Sequence, residues 1–190
     1  MDKQTVIAAL EEIAVLLELK GENPFKSRAY QTAARQLNSL SGEIGELVHS
    51  GELARQRGFG EALVSKITEL VDTGKLVYLE NLRGEFPPGL LDLLDLPGLG
   101  PKKVKLYYDK LSVTNVTELE AACRDGRLAA LPGSGDKTAA KLLEAIARRQ
   151  ENAGLFLFEE ARAMADEVLE ALRPLPGLER VELAGSLRRA

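Results

Sequence analysis

The sequence of 190 residues is poor in side chains that form covalent cross-links and metal sites. It contains one cysteine, one histidine and no tryptophan, and aromatic residues make up 5% of it. The single cysteine, Cys123, excludes a disulfide within the chain, and the apolar spacing around it is typical of a small buried helix residue. The single histidine, His49, cannot by itself form a metal site of the usual kind.

Long apolar runs are also missing. No stretch is long enough to cross a bilayer, and the N-terminus lacks the pattern of a signal peptide. The near-absence of cysteine fits a reducing compartment. We therefore expect a cytoplasmic protein that has no membrane partner.

An excess of positive charge is missing as well. The formal net charge is −4, from 25 Lys and Arg residues against 29 Asp and Glu residues. This balance argues against a nucleic-acid binder that is basic over its whole surface. Residues 101–110 nevertheless carry four lysines and one aspartate. The charge pattern predicts acidic outer faces and locally basic turns.

What the sequence does contain is a glycine-rich turn at residues 96–103, Leu-Pro-Gly-Leu-Gly-Pro-Lys-Lys. The pattern predicts a helix end at Leu96 and a new helix near Pro101, since proline suits the first helical position. Gly98 and Gly100 permit positive φ and close approach of another backbone. Unpaired N–H groups at the new helix start attract an anion, and phosphate suits this geometry best. The lysines that follow are Lys102, Lys103 and Lys105.

Two other segments repeat this turn. Gly133, Gly135 and Lys137 follow a Leu-Pro pair, whereas Gly58 and Gly60 form a more degenerate copy. The repeated unit of helix, Gly-x-Gly turn and helix resembles the helix-hairpin-helix, which grips a nucleic-acid backbone without reading bases. A plain helix–turn–helix connection would explain one such turn, but three copies favour DNA binding.

Most of the remaining chain has the apolar spacing of helices. Asn23 and Pro24 are typical of a helix cap followed by a first helical residue. Residues 83–89, rich in glycine and proline, have the composition of a linker. Residues 179–184 alternate polar and apolar side chains, which is a strand signal, and they run into Gly-Ser-Leu-Arg-Arg at 185–189. A lone strand is not stable, so it predicts a sheet in a larger protein.

Three side chains in the first third of the chain can be read in two ways. Lys26 and Tyr30 lie four residues apart on one helix face, either as a ligand pair or as a surface lysine beside a half-buried tyrosine. Lys66 lies at the edge of an apolar helix stripe. It either extends its amine to solvent or, partly desolvated, acts as an amine nucleophile.

The order of these features resembles the family X DNA polymerases, in particular the bacterial form, over nearly the whole chain. The resemblance implies a fold that is all-α for most of the chain, with a C-terminal strand that begins the α/β nucleotidyltransferase palm. It divides the chain into three parts. Residues 1–85 resemble the N-terminal lyase-like domain with the first hairpin, 86–152 a DNA-binding subdomain with the second and third hairpins, and 153–190 the start of the palm.

The resemblance also implies roles for individual residues. Lys26 and Tyr30 fall on the pocket for the 5′-phosphate in a DNA gap, and Lys66 falls on the lysine that forms a Schiff base in members with deoxyribose-phosphate lyase activity. The first hairpin binds the strand downstream of the gap and the second binds the primer strand. The backbone carbonyls that would hold Na⁺ or K⁺ at the second hairpin are those of Leu94, Leu96 and Leu99. The residues that would hold the incoming dNTP are Gly185, Ser186 and Arg189.

The sequence departs from lyase-active members at three positions of the pocket. Phe25 stands where such members place a histidine, and Ala62 and Tyr78 stand where they have further lysines. The pocket is therefore less basic, which argues against lyase activity. The resemblance places the palm carboxylates that bind Mg²⁺, and a phosphoesterase domain, beyond residue 190. We expect this chain to bind gapped or nicked DNA as a monomer without polymerising.

Two alternatives from other classes compete with this interpretation. A non-enzymatic tandem helix-hairpin-helix module of a repair or recombination complex would need no downstream sheet and would not prefer a 5′-phosphate. A helical protein-interaction domain would show no salt-dependent affinity for DNA. The terminal strand with its Gly-Ser-Leu-Arg-Arg segment favours the polymerase, a cytoplasmic repair enzyme associated with the bacterial nucleoid.

Overall fold

The computed structural model describes residues 1–151, 158–173 and 181–183. The chain divides into two compact units, Met1–Ile146 and Ala147–Ala190. The helices are α1 (Lys3–Lys20), α2 (Pro24–Ser39), α3 (Ile44–His49), α4 (Glu52–Arg55), α5 (Glu61–Thr73), α6 (Val77–Gly84), α7 (Pro88–Leu91), α8 (Pro101–Leu111), α9 (Val116–Arg124), α10 (Asp136–Glu151) and α11 (Phe158–Leu172), with a 3₁₀ turn at Asp92–Asp95.

Helix α1 lies at the centre of the first unit. Its apolar residues occupy two adjoining stripes, so that eight of its side chains are buried. It packs against α2, α5, α6 and α8. The Asp2 carboxylate caps the helix by accepting a hydrogen bond from the Thr5 N–H at 2.7 Å. The core around α1 reaches from Val6 to Ile146 as one cluster of buried residues.

Helix α2 begins as the sequence predicts. The Asn23 side chain accepts a hydrogen bond from the Phe25 N–H at 3.0 Å, and Pro24 is the first helical residue. Ala33, Ala34 and Leu37 are buried against α1. Lys26, which is exposed, and Tyr30, which is partly buried, precede these residues along the same side of α2 and lie near its start, where they can line a surface site.

The segment with the composition of a linker, 83–89, covers the end of α6 and the start of α7. Leu90, in α7, is fully buried. A Cβ built on Gly89 would lie 2.8 Å from the Asn115 Cβ and 3.0 Å from the Thr114 carbonyl oxygen. The glycine thus lets α7 pack directly against the chain that leads into α9.

The fold class is confirmed for its helical part, since all regular structure in the described ranges is helical. The predicted strand is not seen: of residues 179–184 only Val181, Glu182 and Leu183 are described, and they have no regular secondary structure. In the described part of the second unit, residues of α11 and Val181–Leu183 line an apolar groove of about 530 Å³. No helix in the described ranges has the length and apolar character that crossing a membrane requires.

Candidate nucleic-acid interface

The three Gly-x-Gly turns adopt one backbone geometry. The first glycine of each has positive φ: +96° at Gly58, +85° at Gly98 and +78° at Gly133. Only glycine occupies this region without strain. The second glycines, Gly60 and Gly100, have extended backbone and are the N-caps of α5 and α8. The repeat predicted from the sequence is thus present as a repeat of structure.

Equivalent hydrogen bonds close the three turns. The N–H of Phe59, Leu99 or Ser134 donates to the carbonyl three residues earlier, at 3.3, 3.1 and 3.0 Å. The carbonyl of the second glycine accepts from the third and fourth residues of the helix that follows in every case. The side chains of Phe59, Leu99 and Ser134 are buried, so each turn is anchored by its central residue.

The outer side of the turns is open. A Cβ at Gly60, Gly98, Gly100 or any glycine of the third turn would meet nothing within 4 Å. Neither α5 nor α8 has a side-chain cap among the described residues, so the first N–H groups of these helices stay available to a ligand. Such helix starts attract phosphate. Gly58 differs, because a Cβ there would lie 2.7 Å from the Gln36 Oε1 of α2.

The lysines of the second hairpin are not equivalent. Lys102 is exposed, and the Lys103 Nζ donates to the Gly98 carbonyl at 3.4 Å, within the turn. The Lys105 Nζ lies 3.3 Å from Asp109, and its stem passes the backbone of Gly21 in the turn after α1. Lys102 and Lys103 therefore lie at the turn, whereas Lys105 joins α8 to the end of α1.

The three hairpin helices differ in the charge of their first turn. Helix α8 begins Pro-Lys-Lys, but α5 begins with Glu61 and α10 with Asp136 followed by the exposed Lys137. An acidic first residue stabilises the helix but opposes an incoming phosphate. The second hairpin is thus the most basic of the three, and Lys137 partly offsets the acid at the third.

A surface pocket of about 490 Å³ brings together five of the predicted site residues. Helices α2, α5 and α6 form it, together with the first hairpin turn. The predicted site residues that line it are Lys26, Tyr30, Gly58, Gly60 and Lys66. The first glycine turn and both candidate lysines therefore belong to one cavity, although they lie up to forty residues apart in sequence.

Tyr78, which the resemblance placed in the pocket only as a departure from a lysine, makes contacts that sequence reasoning missed. Its ring stacks on that of Tyr30, with centroids 6.3 Å apart and planes 14° apart. The Lys66 Nζ lies 4.8 Å from the Tyr78 ring centroid and donates to the Ala62 carbonyl at 3.3 Å. This cation–π contact holds the ammonium in the pocket. No local pattern marks Tyr78, because its partners lie on other helices.

The surroundings of the pocket determine the protonation of Tyr30 and the pairing of Lys26. Burial, and to a smaller extent the neighbouring Tyr78, raises the pKa of Tyr30 to about 12, so its phenol is a hydrogen-bond donor at neutral pH. The Lys26 ammonium pairs with Glu22 at 2.9 Å, and this hydrogen bond lowers the pKa of the Glu22 carboxyl. A phosphate that binds Lys26 must compete with Glu22.

Two other groups of predicted site residues have different outcomes. Gly185, Ser186 and Arg189 lie outside the described residues. For the monovalent cation, the Leu96 carbonyl accepts the Leu99 N–H at 3.1 Å, which leaves its second lone pair for another ligand. Carbonyl oxygens suit such a cation, so these residues fit it and the site stays a prediction. In the described ranges no group of three His, Cys, Asp or Glu side chains could hold a metal ion.

Comparison with known proteins agrees with this geometry. Residues 1–76 match a family model described as a helix-hairpin-helix domain, and residues 90–148 match one described as a SAM-like helix-hairpin-helix tandem. The whole chain is 37% identical over 190 residues to the DNA polymerase/3′-5′ exonuclease PolX of Bacillus subtilis (strain 168). The predicted resemblance to a bacterial family X polymerase is confirmed. The chain spans 33% of the length of this relative, consistent with an N-terminal portion.

The two matched regions contain the three turns in the predicted order. The first turn lies in the first region, and the second and third turns lie in the tandem. The helix-hairpin-helix domains support DNA binding by this chain.

Proposed function

We propose that this chain is the DNA-binding N-terminal part of a DNA-directed DNA polymerase that fills short gaps during DNA repair, base excision repair included. The single observation that carries the proposal is the pocket in which the first hairpin turn meets Lys26, Tyr30 and Lys66. An open helix start, two ammonium groups and a neutral phenol are the donors that a terminal phosphate requires.

On this proposal the chain holds both sides of a gap. The pocket binds the 5′-phosphate of the downstream strand, and the second hairpin binds the primer strand through its open turn and Lys102. Hairpin contacts go to the phosphate backbone, so binding is independent of base sequence and weakens as salt rises. Monovalent cations at the Leu94, Leu96 and Leu99 carbonyls would stabilise the turn against the added phosphate charge.

The chemistry of the parent protein belongs to the rest of its length. We assign the Mg²⁺ ions and the palm carboxylates to that remainder. Residues 153–190 would begin the palm, with Gly185, Ser186 and Arg189 for the incoming dNTP. Mg²⁺ supplies the electrostatic stabilisation that phosphoryl transfer needs. What this chain does is grip the DNA as a monomer and present the primer end.

Lys66 is the residue that would carry a lyase reaction in the parent protein. Its amine would add to the sugar aldehyde and release water, and borohydride would reduce the resulting imine to a stable adduct. The cation–π contact with Tyr78 and the bond to the Ala62 carbonyl fit a phosphate-holding amine instead. We therefore expect no adduct on a pre-incised abasic substrate, and an adduct that Lys66→Ala abolishes would assign the lyase.

The experiment that tests the function compares the affinity of the chain for a duplex with a one-nucleotide gap and for the intact duplex. We expect tighter binding to the gapped duplex, with affinities for both that fall as salt rises. Equal affinity for the two duplexes would point to a general hairpin module. No salt-dependent binding at all would contradict a DNA function.

A further inference from the structure

The third hairpin turn is anchored differently from the other two. At the centre of the first and second turns are Phe59 and Leu99, which are buried apolar side chains, whereas the third turn has Ser134, only 1% exposed. A buried hydroxyl is costly unless it is hydrogen-bonded. The third turn therefore depends on a polar partner where its two counterparts rely on apolar contact.

That partner belongs to the second hairpin. The Tyr107 hydroxyl, on α8, lies 2.9 Å from the Ser134 hydroxyl, and the Tyr107 side chain is fully buried. A hydrogen bond is directional, so it fixes distance and orientation more closely than an apolar contact does. The bond joins helix α8 to a turn 27 residues further along the chain.

We infer that Tyr107 and Ser134 are positioning residues that hold the third hairpin turn in register with the second, so that both turns engage the phosphates of one DNA molecule. This inference rests on the proposed DNA binding. Neither side chain can touch DNA, because both are buried. Their effect must pass through the open turn between Gly133 and Gly135 and the exposed Lys137 that follows it.

This arrangement explains why a turn whose following helix begins with Asp136 is useful for DNA binding. An acidic helix start binds phosphate weakly by itself. Held in a fixed position relative to α8, it gains from the binding already made at the Lys102 turn, because the second contact becomes intramolecular. The contribution of the third turn to the DNA affinity therefore depends on its position relative to the second turn.

The test is a double-mutant cycle between Ser134→Ala and Lys137→Ala, measured as the affinity of the full chain for a gapped duplex at several salt concentrations. We expect each single variant to bind about 3- to 10-fold more weakly, with a salt slope reduced by about one. In the double variant Lys137→Ala should add little, because the turn is already out of register. Lys102→Ala is the matched control and should remain additive with Ser134→Ala.

The outcomes separate this inference from the proposed function. Wild type that does not bind gapped DNA contradicts the proposed function itself. If the wild type binds and Ser134→Ala has the same affinity and salt slope, the positioning role is overturned. Full additivity of Ser134→Ala and Lys137→Ala overturns it as well. Circular dichroism and thermal melts confirm that the variants are folded, and Tyr107→Phe, which keeps the ring, must reproduce the Ser134→Ala result.

Discussion

The lysines of the proposed DNA interface differ in the groups with which they are already paired. Lys102 is exposed, Lys26 is paired with Glu22, Lys66 lies over the Tyr78 ring, and Lys105 is paired with Asp109 beside Gly21. Exposed ion pairs stabilise little, so such pairing does not prevent a lysine from binding phosphate. The pairing nevertheless means that these lysines are not equally available to a phosphate, a difference that the number of basic residues alone does not reveal.

Tyr30 gives a pH-dependent prediction at the residue scale. Its pKa is about 12 in the folded chain, mainly through burial, and near 10 when the chain is unfolded. Stability from the neutral phenol is fully present below pH 10 and is lost as pH rises toward 12, because the unfolded chain releases the proton first. Urea unfolding of wild type and Tyr30→Phe between pH 9 and 12 measures this loss.

The difference between wild type and Tyr30→Phe reports the titration of Tyr30 alone, because the other tyrosines and the lysines titrate in both proteins. Relative to Tyr30→Phe, wild type should lose at most about 2 kcal/mol of unfolding free energy across this range. Parallel pH profiles for the two proteins would mean that the Tyr30 hydroxyl is not buried in the pocket.

Residue pairs were predictable from the sequence only where the partners are close along one helix. Lys26 and Tyr30 lie on one face because four residues separate them, and both line the pocket. The Tyr30–Tyr78 stack and the Tyr107–Ser134 bond join residues on different elements. No periodicity within one element carries information about such partners, which tertiary packing selects.

At the scale of elements, the hairpin turns share a geometry but not their surroundings. Gly58 and Gly98 both have positive φ, yet only Gly58 faces a neighbouring side chain, Gln36 of α2. The Gln36 Oε1 is buried and has no hydrogen-bond partner in the part of the chain that the structure describes. The first hairpin is thus packed directly on α2, which carries the other half of the pocket.

This difference predicts unequal costs for the same substitution. Gly98→Ala should lower the unfolding free energy by about 1–2 kcal/mol, the cost of a Cβ in the left-handed region. Gly58→Ala should cost about 1 kcal/mol more, because its Cβ meets the Gln36 carboxamide. Chemical denaturation of the two variants checks this difference.

The control is Gln36→Ala in the Gly58→Ala background, which removes the carboxamide and leaves only the backbone strain. The double variant should have a lower unfolding free energy than Gln36→Ala alone. We expect this difference to equal the loss that Gly98→Ala causes in the wild type. Equal costs for Gly58→Ala and Gly98→Ala in the wild-type background would show that α2 does not restrict the first turn.

Elements with local signals were predictable. The Asn23 cap, the proline starts of α2 and α8 and the three glycine turns follow from the backbone preferences of single residues. Packing between elements was not: the glycine at position 89 fits the composition of a linker, but it is needed for contact between α7 and the Asn115 region. The sequence alone does not distinguish a glycine that is needed for close packing from a glycine that belongs to a flexible linker.

At the scale of the whole molecule, a chain of net charge −4 is proposed to bind a polyanion. The open helix starts lie at the first and second turns, while carboxylates pair with many of the basic side chains elsewhere, as Glu12 and Glu80 do with Arg83. Long-range attraction to DNA is therefore weak, and contact at the turns must supply the affinity. This agrees with the proposal that the chain binds at a gap in DNA in preference to an intact duplex.

The measurement that tests the central claim most directly is the affinity of the chain for a one-nucleotide gapped duplex with and without a 5′-phosphate in the gap. The claim is that the pocket of Lys26, Tyr30 and Lys66 holds that phosphate. We predict about 10-fold tighter binding to the phosphorylated gap, as one charge-assisted contact of about 1.4 kcal/mol provides. Lys26→Ala should remove this preference, and the matched variant Glu22→Gln, which removes the competing carboxylate, should keep or increase it. Equal affinity of the wild type for the two gaps, at low and at physiological salt, would contradict the claim.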